Sequence, residues 1–241
     1  MSASFPLRLA IALLLLAVPA TAGAQQRPRL AEQMAKAYGL DGFGRIESIR
    51  YTWNAEFAGL SLSHQWQWSP KTDTVTYEGK TKDGQQVKVT YQRAQLGSEP
   101  AVVQNEIDPA FVNDQYWLVF PFHVIWDSSA TVTDDGKQPL PSGQGSATRI
   151  VVKYPSDGGY EPGDTWDLYL GPDKRVVEFV YHRGGSKPPK LVTATWKAYR
   201  KAGPLLFSSD HVGTADGKPL RIFISDVSVK LAGSKNWINA R

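Results

Sequence analysis

Asp108-Pro109-Ala110-Phe111-Val112-Asn113-Asp114-Gln115-Tyr116-Trp117-Leu118-Val119-Phe120-Pro121-Phe122-His123-Val124-Ile125-Trp126-Asp127 is the stretch whose reading decides the fold. Apart from an N-terminal leader, no other segment is as apolar and aromatic. Asp108 stands where a helix N-cap belongs, and Pro109 is well placed as a first helical residue. A helix from there to about Leu118 puts Phe111, Gln115 and Leu118 in one row, and Phe120-Pro121-Phe122 should end it, because proline disfavours helical geometry in the residue before it. With alternating segments on both sides, the stretch is expected to plug or line the concave side of a curved antiparallel sheet.

Upstream, Ile49, Tyr51, Trp53, Ala55 and Phe57 alternate with Arg50, Thr52, Asn54 and Glu56. Ala58-Gly59 turns the chain, and Leu60, Leu62, His64, Trp66 and Trp68 alternate against serines and glutamines, giving a hairpin with one wet face. Val75 and Tyr77 continue the pattern. Asp83-Gly84 is a hairpin signal leading into Val87, Val89 and Tyr91, so four strands are expected in meander order. Gln95 to Asn105 has no period and reads as a loop. Downstream, strands are expected near Thr131–Thr133, Ser146–Tyr154, Trp166–Leu170, Val177–Tyr181, Val192–Ala198, Leu205–Ser208 and Arg221–Leu231, with a polar excursion over Asp134–Gly145. A short amphipathic helix over Arg29–Tyr38, stopped by Gly39, precedes the sheet. The class is mostly β (α+β): a curled antiparallel sheet or half-open barrel of about ten strands, with short helices on its concave face.

The first residues read as a secretory leader. Arg8 precedes an apolar run from Leu9 to Val18, and Ala22-x-Ala24 places the cut after Ala24. Residues 1–24 are therefore expected to be removed, leaving 25–241 as one domain in the periplasm. The chain has no cysteine, so neither a disulfide nor a lipidated N-terminal cysteine is available, and burial must supply the stability from material that includes 8 Trp, 10 Tyr and 9 Phe. The 27 basic and 23 acidic residues are dispersed, and Arg8 leaves with the leader. Nucleic-acid binding asks for a clustered basic face and is not expected.

Signals for catalysis are weak. His64, His123, His182 and His211 are scattered, with no paired spacing for a metal. No nucleophile elbow, phosphate loop or dinucleotide fingerprint is present. Asp164 and Asp167 read as turn residues rather than a calcium loop. His123, between Phe122 and Val124, could serve as a base in an apolar pocket, but a core histidine bonded to backbone is the commoner arrangement. His64 lies in phase with Leu62 and Trp66. Neither a cofactor nor a metal is implied, and an enzyme is not expected.

The aromatic content carries more weight. Burying Trp117, Phe120, Phe122 and Trp126 is worth about 1.5–3 kcal/mol each. A sheet of this size curls, and its concave face is either filled by these rings or left with a cavity for an apolar guest. Composition alone favours filling.

The order of elements, with Ala37-Tyr38-Gly39-Leu40-Asp41-Gly42-Phe43, Tyr116-Trp117-Leu118-Val119-Phe120-Pro121-Phe122, Gly163-Asp164-Thr165-Trp166-Asp167-Leu168-Tyr169-Leu170 and Leu205-Leu206-Phe207-Ser208, resembles the LolA/LolB-like superfamily of exported lipoprotein carriers. That resemblance implies a half-open barrel, a helical lid and a cavity for acyl chains. Two features depart from it: no cysteine carries a lipid, and Arg50, on the polar face, does not supply the arginine that latches the lid in such carriers. The expectation is a periplasmic binding or carrier protein for a hydrophobic small molecule or lipid, with a transient membrane or lipoprotein partner. Tyr51, Trp53, Trp66, Trp117, Phe120, Phe122, His123, Trp126 and Phe179 would bind the ligand, with His123 or His64 as polar contacts. The competing expectation is a non-catalytic structural or interaction module with a solid interior.

Overall fold

The computed structural model describes residues 26–160, 162–185 and 188–241. The expected leader, 1–24, lies outside the described residues.

Two short helices, α1 (Arg29–Ala37) and α2 (Leu40–Phe43), open the fold. Gly39 separates them with φ +98°, and a Cβ at this position would stand 2.2 Å from the Pro204 carbonyl oxygen, so backbone conformation and close approach both demand glycine. The alternating segments then form β1 (Ile46–Phe57), β2 (Leu60–Ser69), β3 (Thr74–Lys80) and β4 (Gln86–Gln92), in the expected meander. Ile49, Tyr51, Trp53 and Ala55 are buried, whereas Arg50 and Glu56 on the alternate positions are exposed.

The segment expected to be a loop is partly helical. A 3₁₀ turn covers Arg93–Ser98, and a π-helical turn over Val103–Ile107 buries Val103 and Ile107 and runs directly into α3 (Asp108–Trp126). Asp108 is therefore not an N-cap: the preceding residue, Ile107, is already helical at φ −73°, ψ −48°. Nor does the helix stop at Phe120-Pro121-Phe122. Pro121 has no N–H to offer the Trp117 carbonyl, and the distortion is absorbed at Val119 (φ −124°, ψ 16°). The helix then resumes to Trp126, burying Phe122 and Val124. Being apolar all round, α3 belongs inside the protein.

After α3 come β5 (Thr131–Pro139), β6 (Ser146–Lys153), β7 (Thr165–Leu170), β8 (Val176–His182), β9 (Leu191–Thr195), β10 (Lys197–Ala202), β11 (Leu205–Ala215), β12 (Lys218–Leu231) and β13 (Trp237–Asn239). The first half of the polar excursion after Thr133, up to Pro139, stays in β5, which keeps its pairing with β6 across a register shift between Asp134 and Lys137. The strand expected over Val192–Ala198 divides at Trp196 into β9 and β10.

All pairings are antiparallel, and the order is β4-β3-β2-β1-β12-β11-β9-β8-β7-β6-β5, with β10 on β11 and β13 on β12. β4 and β5 end the path without pairing each other, so the sheet is open. It curls around α3: Phe111 meets Trp66 of β2 at 5.4 Å between ring centroids, and Trp117 meets Phe179 of β8 at 5.5 Å. Strands far apart in the sheet order thus touch one helix. The core lies between them.

Candidate functional site

Burying α3 also buries two carboxylates, Asp108 and Asp114, and half-buries a third, Asp127, just past its end, and each needs donors. Asp108 Oδ1 accepts from Tyr91 Oη at 3.0 Å and Arg93 Nε at 2.8 Å, and Oδ2 accepts from the Tyr160 hydroxyl. Asp127, at the C-cap, meets His123 Nδ1 at 3.0 Å and accepts the hydroxyls of Tyr116 and Tyr154 at 2.7 Å each. Burial pushes the Asp127 carboxyl up, but the bonds from His123, Tyr154 and Tyr116 outweigh it and hold the group below the ordinary carboxylate range.

Asp114, in mid-helix, faces β2. Its Oδ2 meets His64 Nδ1 at 2.7 Å and accepts Trp66 Nε1–H at 2.8 Å, while Oδ1 accepts from Asn113 at 3.0 Å. Complete burial raises this carboxyl above its ordinary value, only partly offset by those partners. The imidazole of His64 is stacked on Trp53, centroids 5.4 Å apart with planes at 15°, and meets Tyr77 edge-on at 5.8 Å. One strand histidine is thus held by a ring on one side and a buried carboxylate on another.

His64 also lines a cavity of about 670 Å³ at the mouth of the sheet. Leu62, Tyr77, Gly79, Ile107 and Ala110 contribute to its walls, so it lies between β2–β3 and the start of α3. The inner face of the β1–β2 hairpin continues beyond the helix: in register, Phe57 pairs Leu60 and Ala55 pairs Leu62. No described residue covers that end, where Leu60 is 67% exposed and Leu62 52%. These apolar side chains form a ledge leading to the cavity. A larger cavity, about 830 Å³, lies on the hydrophilic face of the same strands, beside Arg50, Thr52, Gln67 and Asp226.

The residues expected to bind a ligand fall into three groups. Trp53 and Trp66 touch His64 behind the mouth cavity, and Tyr51 stands opposite Trp66 in the register with a buried hydroxyl that has no hydrogen-bond partner among the described residues. Trp117, Phe120 and Phe179 pack with Trp166 across the interior, at 5.6, 4.4 and 5.6 Å from it. Phe122 and Trp126 close on Phe43 of α2 at 5.3 and 4.6 Å, with Trp126 36% exposed, and His123 stacks on Tyr116 at 4.1 Å. His123 is bonded by the Asp127 side chain, not by backbone. Asp164 takes the Tyr181 hydroxyl and the Gly184 N–H, tying its loop to β8 and the segment after it rather than capping a turn of its own. Asp167 is not a turn residue but lies within β7, facing Arg149 at 3.4 Å and His182 at 3.2 Å. Among the described residues no cluster of metal-ligating side chains forms.

Sequence reasoning missed Asp114. A single carboxylate inside an otherwise apolar helix is a signal that could have found it, since burial obliges such a group to have partners.

No protein-family model matches the chain, and no curated protein matches it. Similar solved structures include a DUF1329 family protein from Desulfovibrio piger, 7% identical over 85% of this chain and 92% of that one, TM-score 0.47. A putative outer membrane lipoprotein-sorting protein domain from Vibrio parahaemolyticus is 11% identical over 86% and 96%, TM-score 0.43. The lipoprotein LppX from Mycobacterium tuberculosis is 12% identical over 88% and 99%, TM-score 0.33. Likeness of that size leaves the architecture to be read from this chain's own strands.

Proposed function

We propose that the chain is a periplasmic binding or carrier protein for a hydrophobic ligand, a lipid or acyl chain, taken up between the curled sheet and α3. The observation that carries this reading is the exposed apolar ledge of Leu60 and Leu62, backed by the half-buried Phe57, beside the mouth cavity. Apolar surface left in water at the end of a buried face favours a partner that removes it, at about 25 cal/mol per Å² covered. A tail lying on the ledge points toward Trp53, Trp66 and Tyr51. Displacement of α3 turns Trp117, Phe120, Phe122, His123, Trp126 and Phe179 into further walls. A membrane or lipoprotein would be the transient partner that supplies or receives the ligand. Non-catalytic uptake needs no cofactor.

Titration of the purified protein with a fluorescent acyl-chain probe tests this reading, with native mass spectrometry to give stoichiometry. Saturable binding near one equivalent is expected, weakened at least roughly tenfold by Leu62→Asp, which places a charge on the ledge without entering the core. Absence of saturable binding overturns the reading.

The ring contacts across the interior favour a second reading, a structural or interaction module whose sheet is packed solid. It predicts no copurifying lipid, no probe uptake and a protein partner recovered by crosslinking.

A further inference from the structure

Resting on the carrier reading, we infer that the ligand is an anionic amphiphile, and that its head, a carboxylate or phosphate, is received at the mouth cavity by His64 together with Lys80 and Lys82.

Three observations converge there. First, the His64 ring is held in place before any ligand arrives, by Asp114 at Nδ1 and by the stacked Trp53. No described group bonds its Nε2, and the ring lines the cavity. With Nδ1 occupied by a carboxylate, the protonated ring presents a second N–H, at Nε2, to an incoming anion. Second, the residue opposite His64 in the register is Gly79, on the inner face of β3. Having no side chain, it lets the Tyr77 ring lie over it and wall the imidazole edge-on. A Cβ there would stand 2.4 Å from the Tyr77 hydroxyl, which itself bonds the Lys80 carbonyl at 2.8 Å.

Third, the charges at the rim favour an anion. Lys80 and Lys82 both line the cavity, and neither ammonium has an ion-pair partner among the described residues. Of the two glutamates there, Glu78 is neutralised by Lys88 at 2.8 Å. Glu106 accepts the backbone N–H of Lys82 and is, among the described glutamates lining the cavity, the one without a lysine partner. The His64–Asp114 pair adds no net charge when both groups are ionised. Two ammonium groups against one carboxylate, beside a walled imidazole, suit a head of one or two negative charges. Leu62, Ile107 and Ala110 adjoin it and suit the tail.

Three probes with the same sixteen-carbon tail separate the possibilities: palmitate, lysophosphatidate and neutral monopalmitoylglycerol, titrated calorimetrically into the full mature chain below their micelle concentrations. Both anions are expected to bind about tenfold or more tightly than the neutral probe, and the tighter of them distinguishes a free carboxylate from a lipid phosphate. In His64→Gln the ratio of anionic to neutral affinity falls toward one. Because His64 also supports Asp114, the double variant Lys80→Ala/Lys82→Ala provides an independent arm, with both substitutions on exposed side chains and the ratio again falling. Equal affinity for all three probes in the wild-type chain overturns the anionic head and leaves the carrier reading standing. A ratio that survives both variants overturns its assignment to these residues. No binding of any probe removes the carrier reading itself.

Discussion

Trp117 of α3 and Trp166 of β7 meet edge to face, with ring centroids 5.6 Å apart, across the interior of the curled sheet. The contact joins the helix to the half of the sheet farthest from the mouth. An apolar guest reaching that depth must part these two rings. The carrier and the packed module therefore differ in whether α3 moves as a unit, and its attachments can be tested one at a time.

Trp117→Ala removes the ring that Trp166 and Phe179 pack against. The expected loss is about 3–5 kcal/mol, the usual range for truncating a buried aromatic side chain. Urea unfolding checks it, as a lower midpoint with an unchanged slope. A loss below about 1 kcal/mol would mean that the neighbouring rings close the gap.

Asp108→Ala strips Arg93 of its main partner and leaves the hydroxyl of Tyr91 without its acceptor. Breaking a buried ion pair from one side costs about 3–5 kcal/mol, and the partial exposure of Arg93 places this case at the lower end. Asp108→Asn keeps an acceptor oxygen and is expected to lose less. Equal losses in the two variants would show that the charge on Asp108 is the whole of its contribution.

Burial among Trp117, Phe179 and Trp196 pushes His211 down to about 4, against the bond from Nδ1 to the Thr195 carbonyl. The folded state thus resists protonation of a ring that the unfolded chain protonates near 6.5. Its neutral form contributes stability in full above pH 6.5, and that contribution drains away as pH falls from there to about 4, by about 3 kcal/mol. In His211→Phe the decline over this window is expected to flatten by close to one proton, read from urea midpoints at successive pH values. An unchanged slope would place the titration elsewhere.

The parts of this fold legible in the sequence are those where one local period decides. The β1–β4 meander follows from residues such as Tyr51 and Trp53 facing in while Arg50 faces out. The second half of α3 was not legible, because the local rule for Pro121 predicts a stop. Burial of Phe122 and Val124 against the curled sheet outweighs the lost hydrogen bond at Trp117, and a kink at Val119 absorbs the rest. The site was less legible still. His64 belongs to a strand period and Asp114 to a helix, 50 residues apart, so their meeting depends on where α3 lands on β2. The bare ledge at Leu60 and Leu62 is likewise a matter of helix length against hairpin length, which alternation does not contain.

Asp114 and Asp127 lie on the same helix and are displaced in opposite directions, Asp114 up by burial and Asp127 down by its donors in spite of burial. A depressed carboxyl contributes stability above its unfolded value, near 3.9, and loses it as pH falls through the lower folded value. A raised one contributes fully below 3.9 and loses it as pH rises through the higher folded value. The gap between wild type and Asp127→Asn should therefore narrow on acidification below about pH 4. The gap between wild type and Asp114→Asn should narrow instead as pH rises above about 4. Urea midpoints on either side of that pH distinguish the two trends. If both gaps move the same way, one of the carboxylates does not have the partners assigned to it, and the contact between α3 and β2 at His64 is the first to be reconsidered.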